Sequence, residues 1–161
     1  MGTDIRQYGD GNPGAFNVFR AGGKGWGWVA ILLDGLKGAI PVGLANYWIG
    51  LEGWSLAVVA LAPILGHAYS PLLKFRGGKA LAVTFGVWTG LTLWLAPTIL
   101  GLGFALGVKV FGTNGRAVMF GQGILLVGLA IAELNGVWMA VWLGMTILLG
   151  WKHRKDFWCA Q

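Results

Sequence analysis

Apolar residues fall into six runs, at about 26–47, 54–72, 80–95, 96–111, 117–133 and 136–151, separated by short polar or glycine-rich breaks. Each run is near the roughly 17 to 25 residues that carry a helix across about 30 Å of hydrocarbon. The pattern predicts an all-α fold: a polytopic integral membrane bundle of about six transmembrane helices. The third and fourth runs meet without a charged loop. Pro97, with the polar Thr89 and Thr92, marks their boundary, which leaves one kinked helix or a re-entrant segment open.

Charge placement supports the same topology. If each run crosses once, Arg6, Arg20, Lys24, Lys74, Arg76, Lys79, Lys109, Arg116, Lys152, Arg154 and Lys155 share one face, and the other face carries only Glu52 and Glu133. The positive-inside rule then puts residues 1–25, read as a glycine-rich loop, and the tail 152–161 in the cytoplasm, flanking a bundle at 26–151, with 1–161 read as a single membrane domain. The polar start lacks the apolar core of a signal peptide, so the first run is expected to direct insertion. Trp26, Trp28, Trp48, Trp54 and Trp151 fall near run ends, where indole rings anchor at headgroups.

Composition narrows the chemistry. Of 161 residues only 11% are charged and 56% are hydrophobic, against about 25% charged in a soluble domain. The net charge of +6 reads as a belt facing anionic headgroups and anionic substrates, with no nucleic acid required. The lone cysteine, Cys159, excludes a disulfide framework and a cysteine-rich metal site. No clustered ligand set stands out, so neither a metal nor a cofactor is expected.

Glycine then asks for an explanation. Gly9, Gly11 and Gly14 spell G-x-G-x-x-G, with Asp34 about twenty residues on, but no strand precedes them and Asp34 lies inside an apolar run, so a dinucleotide fold is excluded. A P-loop fails too, because Gly25 follows Lys24 where Ser or Thr is needed. Two segments echo each other on one face: FRAGGKG at 19–25 and FRGGKA at 75–80. Bare N–H groups at glycines, joined by Arg20 and Arg76, would suit a phosphate. Equally, the glycines would permit tight turns while the cations anchor at headgroups. Asp34 and Lys37, spaced i and i+3, are expected to form an ion pair within their helix rather than to touch substrate.

Longer strings carry more information. DIRQYGDGNPGAFNVFRAGGKGWG, LLDGLKGAIPV and LGHAYSPLLKFRGGKALAVTFG resemble the bacterial acyl-phosphate-dependent glycerol-3-phosphate acyltransferase family (the PlsY type). Its motifs run G-S-G-N-P-G-A-T-N-x-x-R, D-x-x-K-G, G-H-x-x-P with a following G-G-K-G, and a C-terminal H-x-x-N. The match is strong over residues 3–87 and resumes at KHRKDF. The resemblance implies a multi-pass enzyme of the bacterial inner membrane with its site on the cytoplasmic side. It would move a fatty acyl group from acyl phosphate to the 1-hydroxyl of glycerol 3-phosphate, releasing lysophosphatidic acid and phosphate. It assigns Asp10, Arg20 and His67 to catalytic positions, and Gly11, Asn12, Lys24, Arg76, Gly77, Gly78, Lys79, His153 and Asp156 to the substrate phosphates, with Asn17 shaping the loop.

Such a donor is already activated, so positioning, oxyanion stabilisation and removal of one proton suffice. His67 would accept that proton, or position a substrate phosphate that does. The chain departs from the family pattern at Asp10, which replaces Ser, at Phe16, which replaces Thr, and at Asp156, which replaces Asn. Asp10 is expected to pair with Arg20 or Lys79, or to act as a base. The family also has one more span ahead of its first motif. The H-x-x-x-x-D pair of acyl-CoA-dependent acyltransferases is missing after both His67 and His153. A non-catalytic relative that binds phospholipid or an anionic lipid precursor is the alternative function.

Overall fold

The computed structural model describes residues 3–132 and 135–158, so Glu133 and Cys159 lie outside the described residues. Among the described residues all regular structure is helical: α1 (Ala15–Gly43), α2 (Gly53–Ala68), α3 (Leu81–Thr92), α4 (Leu95–Phe111), α5 (Asn114–Ile131) and α6 (Gly136–Lys152). The last five match the predicted runs closely.

The first does not. Residues 15–25 were expected to form loop, yet α1 begins at Ala15, behind Pro13 and an extended Gly14 at its N-cap. Glycine costs a helix roughly 1 kcal/mol per residue but does not forbid one. Only Gly23 leaves helical geometry (φ 81°, ψ 179°), and it divides α1 into two helical stretches joined at a kink. Beyond Pro41, α1 runs into a wider π-helical turn at Leu44–Trp48.

The doubtful third boundary resolves into two helices. Leu93 takes a positive φ of 55°, and Thr92 spans the break: its hydroxyl donates to the Trp88 carbonyl at 2.8 Å and accepts from the Ala96 N–H at 3.1 Å. Pro97 then sits in the first turn of α4, where its missing N–H would have had no helical partner.

Helices pair through small residues. A Cβ on Gly86 of α3 would collide with the Gly35 carbonyl of α1, and one on Gly107 of α4 would lie 2.8 Å from Ala117 Cα of α5. Such close backbone approach is how helices bind one another where lipid removes the hydrophobic drive. Val83, Val87 and Trp88 put α3 at the centre, against Ile64, Leu100, Leu125 and Met145. The outer surface is apolar as well: Leu32, Ile40, Val58, Leu102, Val127 and Ile147 are exposed. Lipid is the solvent that such a surface fits. Ala15–Trp48, Gly53–Leu73 and Asn114–Ile131 are long and apolar enough to cross a membrane, and α3, α4 and α6 are shorter apolar helices.

The helices alternate in direction. The segment before α1, the α2–α3 link, the α4–α5 turn and the residues after α6 therefore gather at one end of the bundle, where Lys79 of the link bonds both Asp10 and Asp156.

Candidate functional site

At that end a cavity of about 280 Å³ opens between the helices. Its lining combines apolar side chains, Ile31, Phe85, Phe104 and Val118 among them, with polar and charged ones, including Asp10, Asn12, Asn17, Arg20, Asp34, His67, Lys79 and Asp156. Such a mixed lining suits an amphiphile, with a hydrocarbon chain against the apolar side chains and an ionised head against the charged ones.

The charged part of the lining is organised around Lys79. Its ammonium lies 2.6 Å from Asp10 Oδ2 and 2.5 Å from Asp156 Oδ2. Asp10 sits in a tight loop in which its Oδ1 accepts from the Asn12 backbone N–H at 3.1 Å and from the buried Asn17 amide at 2.8 Å. That amide also donates to the Asn12 carbonyl, which locks the loop onto the first turn of α1. Burial pushes the Asp10 carboxyl up, but the bonds from Lys79, Asn12 and Asn17 outweigh it and hold the carboxyl below its ordinary 3.8. Asp156 is buried in the short 3-10 turn Arg154–Phe157. Its neighbour His153 is buried too, and its Nδ1–H donates to the Leu149 carbonyl at 2.9 Å. Burial keeps that imidazole below its ordinary 6.5, hence neutral.

Arg20 completes the lining differently. Its guanidinium lies against Gly9, where a Cβ would strike both Arg20 and Asn17. Gly9 has φ 57°, which glycine adopts without strain. Arg20 is exposed and makes no hydrogen bond or ion pair with another described residue, so its forked donors are free for an anion.

The segment that presents Lys79 is held under strain. Lys74, Phe75 and Ala80 have positive φ without being glycine, a conformation that persists only where surrounding contacts impose it. A Cβ on Gly77 would collide with the His67 carbonyl, and one on Gly78 with His67 Nε2. Lys152 reaches across from α6, donating to the Ala68 carbonyl at 2.5 Å and the Gly77 carbonyl at 3.3 Å while lying over the Tyr69 ring. On the other side of His67, Asp34 Oδ1 approaches Nδ1 at 3.5 Å and pairs with Lys37 at 2.8 Å. The expected Asp34–Lys37 ion pair is present, and it extends to the histidine.

Of the residues singled out by sequence, Asp10, Asn12, Arg20, His67, Lys79, His153 and Asp156 line one cavity. Gly11, Lys24 and Arg76 are exposed and do not line it. Gly77 and Gly78 support it from behind, through His67. Of the two partners expected for Asp10, the structure selects Lys79. Two residues escaped sequence reasoning. Asn114, at the start of α5, lines the cavity, and Lys152 pins the Gly77 segment. The Lys152 signal was there, a cation at the end of an apolar run, but headgroup anchoring explained it as well. Among the described residues, no three of His, Cys, Asp and Glu are grouped to hold a metal ion.

A family model described as glycerol-3-phosphate acyltransferase matches residues 1–158. Among curated proteins, glycerol-3-phosphate acyltransferase 1 of Thermotoga maritima is 36% identical over 96% of this chain and 83% of its own length. The glycerol-3-phosphate acyltransferase of Thermus thermophilus is 39% identical over 96% of this chain and 77% of its own. Among solved structures, the glycerol 3-phosphate form of PlsY, an integral membrane glycerol 3-phosphate acyltransferase, is similar with a TM-score of 0.88 at 30% identity, covering 96% of this chain and 77% of that one. Its lysophosphatidic acid form gives a TM-score of 0.84 at 28% identity, over 91% of this chain and 74% of that one.

Proposed function

The chain belongs to the glycerol-3-phosphate acyltransferase family, a membrane enzyme that makes lysophosphatidic acid, and we propose that the cavity around Lys79 is its active site, with acyl phosphate as donor. The observation that carries this reading is one cavity lined both by apolar Ile31, Phe85, Phe104 and Val118 and by the Arg20 guanidinium and the Lys79 ammonium.

Glycerol 3-phosphate places its phosphate against Arg20 and Lys79, and the acyl chain of the donor lies over Ile31, Phe85, Phe104 and Val118. The 1-hydroxyl oxygen attacks the acyl carbonyl carbon, a new C–O ester bond forms, and the bond from the carbonyl to the donor phosphate breaks. The hydroxyl proton leaves with the released phosphate, so no protein nucleophile and no permanent proton acceptor are needed. Orientation of the two substrates and cationic screening of their phosphates supply the acceleration. His67, with Nε2 against Gly78 and Nδ1 toward Asp34, is a positioning residue that sets where Lys79 stands. Asp10 plays the same part from the other side, its carboxylate being held by three donors.

The basic end of the bundle, with Lys74, Arg76, Arg116, Arg154 and Lys155, faces the cytoplasm of a bacterial inner membrane, where both substrates are met. Purified protein in lipid, given acyl phosphate and labelled glycerol 3-phosphate, is expected to form lysophosphatidic acid, and Arg20→Ala is expected to lower turnover at least a hundredfold. Equal turnover in Arg20→Ala would remove the phosphate from this cavity.

A further inference from the structure

A second hollow lies apart from this cavity, along the outside of the bundle between α2 and α6. It measures about 380 Å³ and is lined by Leu65, Tyr69, Gly144, Ile147, Leu148 and Trp151. Leu65, Ile147 and Trp151 are exposed, so the groove opens to whatever surrounds the bundle. Both helices run toward the basic end and stop there, α2 at Ala68 and α6 at Lys152. Leu65 and Gly144 therefore lie at the deep end of the groove, and Tyr69 and Trp151 stand at its mouth.

The mouth sets this groove apart from the rest of the apolar surface. Each of its two rings carries a cation: Lys152 Nζ lies 4.6 Å from the centre of the Tyr69 ring, and Arg154 Cζ lies 4.1 Å from the centre of the Trp151 ring. Lys152 is held in place by the Ala68 and Gly77 carbonyls. Arg154 is exposed. It donates one N–H to the Trp151 carbonyl at 2.7 Å, and its other N–H groups bond no described residue. A guanidinium so placed presents the forked donors that suit phosphate oxygens. Among the described residues no carboxylate is left over to balance this charge. Asp10 and Asp156 hold Lys79, Asp34 holds Lys37, Asp4 holds Arg6, and Glu52 stands at the opposite end, ahead of α2.

We propose that the α2–α6 groove is a binding site for a phospholipid of net negative charge, with an acyl chain along Leu65, Ile147 and Leu148 and the headgroup phosphate on Arg154, beside Lys152. Charge complementarity selects this occupant. A zwitterionic lipid brings an ammonium head that finds no free carboxylate, and the rings that would attract it already lie under protein cations. A second copy of the chain, related by a two-fold axis along the membrane normal, would set two such cationic mouths against each other. An anionic lipid meets neither obstacle, and each Lys or Arg at the membrane surface favours it about fivefold. Lys152 also donates to the Gly77 carbonyl, so the bound lipid abuts the segment that presents Lys79. The inference concerns binding alone and stands whether or not the cavity around Lys79 is the active site.

The test identifies the lipid beside Trp151. The protein is placed in phosphatidylcholine vesicles containing a rising fraction of either phosphatidylglycerol or phosphatidylcholine with brominated chains, which quench an indole on contact. Subtracting the signal of Trp151→Phe isolates Trp151. Subtracting that of Trp28→Phe isolates Trp28, an exposed indole on α1 that lines neither hollow. Quenching against brominated fraction then gives each lipid's relative affinity at each indole. Phosphatidylglycerol is expected to be preferred at Trp151 by about fivefold or more, and at Trp28 by no more than about twofold. Arg154→Gln is expected to remove most of the Trp151 preference. Lys155→Gln, which takes the same charge from an exposed neighbour in the same tail, is expected to leave most of it. Equal affinity of the two lipids at Trp151, or the same preference at Trp28, overturns the proposal in favour of an unselective lipid shell. Absence of quenching at Trp151 by either lipid overturns it in favour of a second copy covering the groove. A preference that Arg154→Gln and Lys155→Gln lower alike overturns it too, because it then belongs to the basic end as a whole.

Discussion

Residues 19–25, FRAGGKG, and residues 75–80, FRGGKA, are nearly the same sequence at the same end of the bundle, and they are built into opposite structures. The first stays inside α1, kinked at Gly23, and leaves Lys24 exposed and away from the cavity. The second is a non-helical strap with left-handed Phe75 and Ala80 that delivers Lys79 between two carboxylates. What separates them is what each meets. No atom lies within 4 Å of where a Cβ would stand on Gly23 or Gly25, so beyond the break at Gly23 no neighbour keeps the chain from resuming the helix. Around Gly77 and Gly78, His67, Ala68 and Lys152 close in and impose the extended path. A Gly-Gly-Lys string therefore acquires function only where tertiary contacts pull it out of its local preference.

Exchanging the lysines is the strongest way to break the comparison. Lys79→Ala removes the cation that both carboxylates hold, and turnover is expected to fall on the order of 10²- to 10³-fold, the usual cost of removing one preorganised charge-stabilising donor. Lys24→Ala should remain within about twofold of wild type if screening of the cavity falls off over the distance that separates it from the phosphate. A steady-state assay of lysophosphatidic acid formation reads both. A large loss in Lys24→Ala would mean that the kinked half of α1 closes over the site.

Next in size comes the strap itself. Gly78→Ala drives a methyl into His67 Nε2, and the displacement this forces on Lys79 is expected to cost roughly 10²-fold in kcat, since errors of about 1 Å in a site carry penalties of that size. Lys152→Met keeps the stem over Tyr69 but loses the bonds to Ala68 and Gly77. A loss of about tenfold is expected, mostly in KM for glycerol 3-phosphate, because the strap loosens without losing a group that touches substrate. An equal loss in kcat with unchanged KM would place Lys152 in the reaction rather than behind it.

How much of this was legible beforehand follows from the same contrast. Five helices could be read from apolar runs, because hydrocarbon imposes length and polarity on each span separately. The α3–α4 break was visible in Thr92 and Pro97, since both act within one turn. The start of α1 was not, because glycine raises the cost of a helix without announcing whether packing will offset it. Residue identities at the site came from the strings around Arg20, Lys79 and His153. The partner of Asp10 could only be posed as alternatives, and the bond between Asp156 and Lys79 was not foreseen, because both depend on where α1, the strap and the tail meet. Lys152 stayed hidden for a related reason: its partners are backbone carbonyls of residues 68 and 77, which have no sequence signature.

A smaller effect separates the two ends of the strap's support by pH. His153 is held neutral, with its folded pKa below the ordinary 6.5. The unfolded chain therefore binds the extra proton first as pH falls. This contribution to stability is complete above about pH 6.5 and declines as pH drops from there toward the folded value. Thermal unfolding in detergent should show Tm falling over that range in the wild type and falling less in His153→Asn. Asp10 has the opposite label and the same direction: its depressed pKa gives stability that is present above 3.8 and is lost as pH falls below it. The two transitions occupy different pH windows: Asp10→Asn should remove the more acidic one and, because the Asp10 carboxylate favours the charged imidazole, deepen the His153 one slightly.

The smallest expected change sharpens the comparison most directly, because it asks whether residues 19–25 are helical by permission rather than by demand. Gly25→Ala adds a methyl into open space at a position with helical geometry. Replacing glycine by alanine there is expected to stabilise α1 by about 0.5 to 1 kcal/mol, through higher helix propensity and lower freedom of the unfolded chain, with turnover unchanged. Gly23→Ala is the sharper partner. At φ 81° the methyl is strained even though nothing touches it, so that variant should lose stability or straighten α1. If straightening carries Arg20 away from the cavity, KM for glycerol 3-phosphate rises while Gly25→Ala leaves it alone. The kink, and not the glycine content of the string, would then be what the first segment contributes to the site. Equal behaviour of the two variants would show that Gly23 bends α1 without consequence for Arg20.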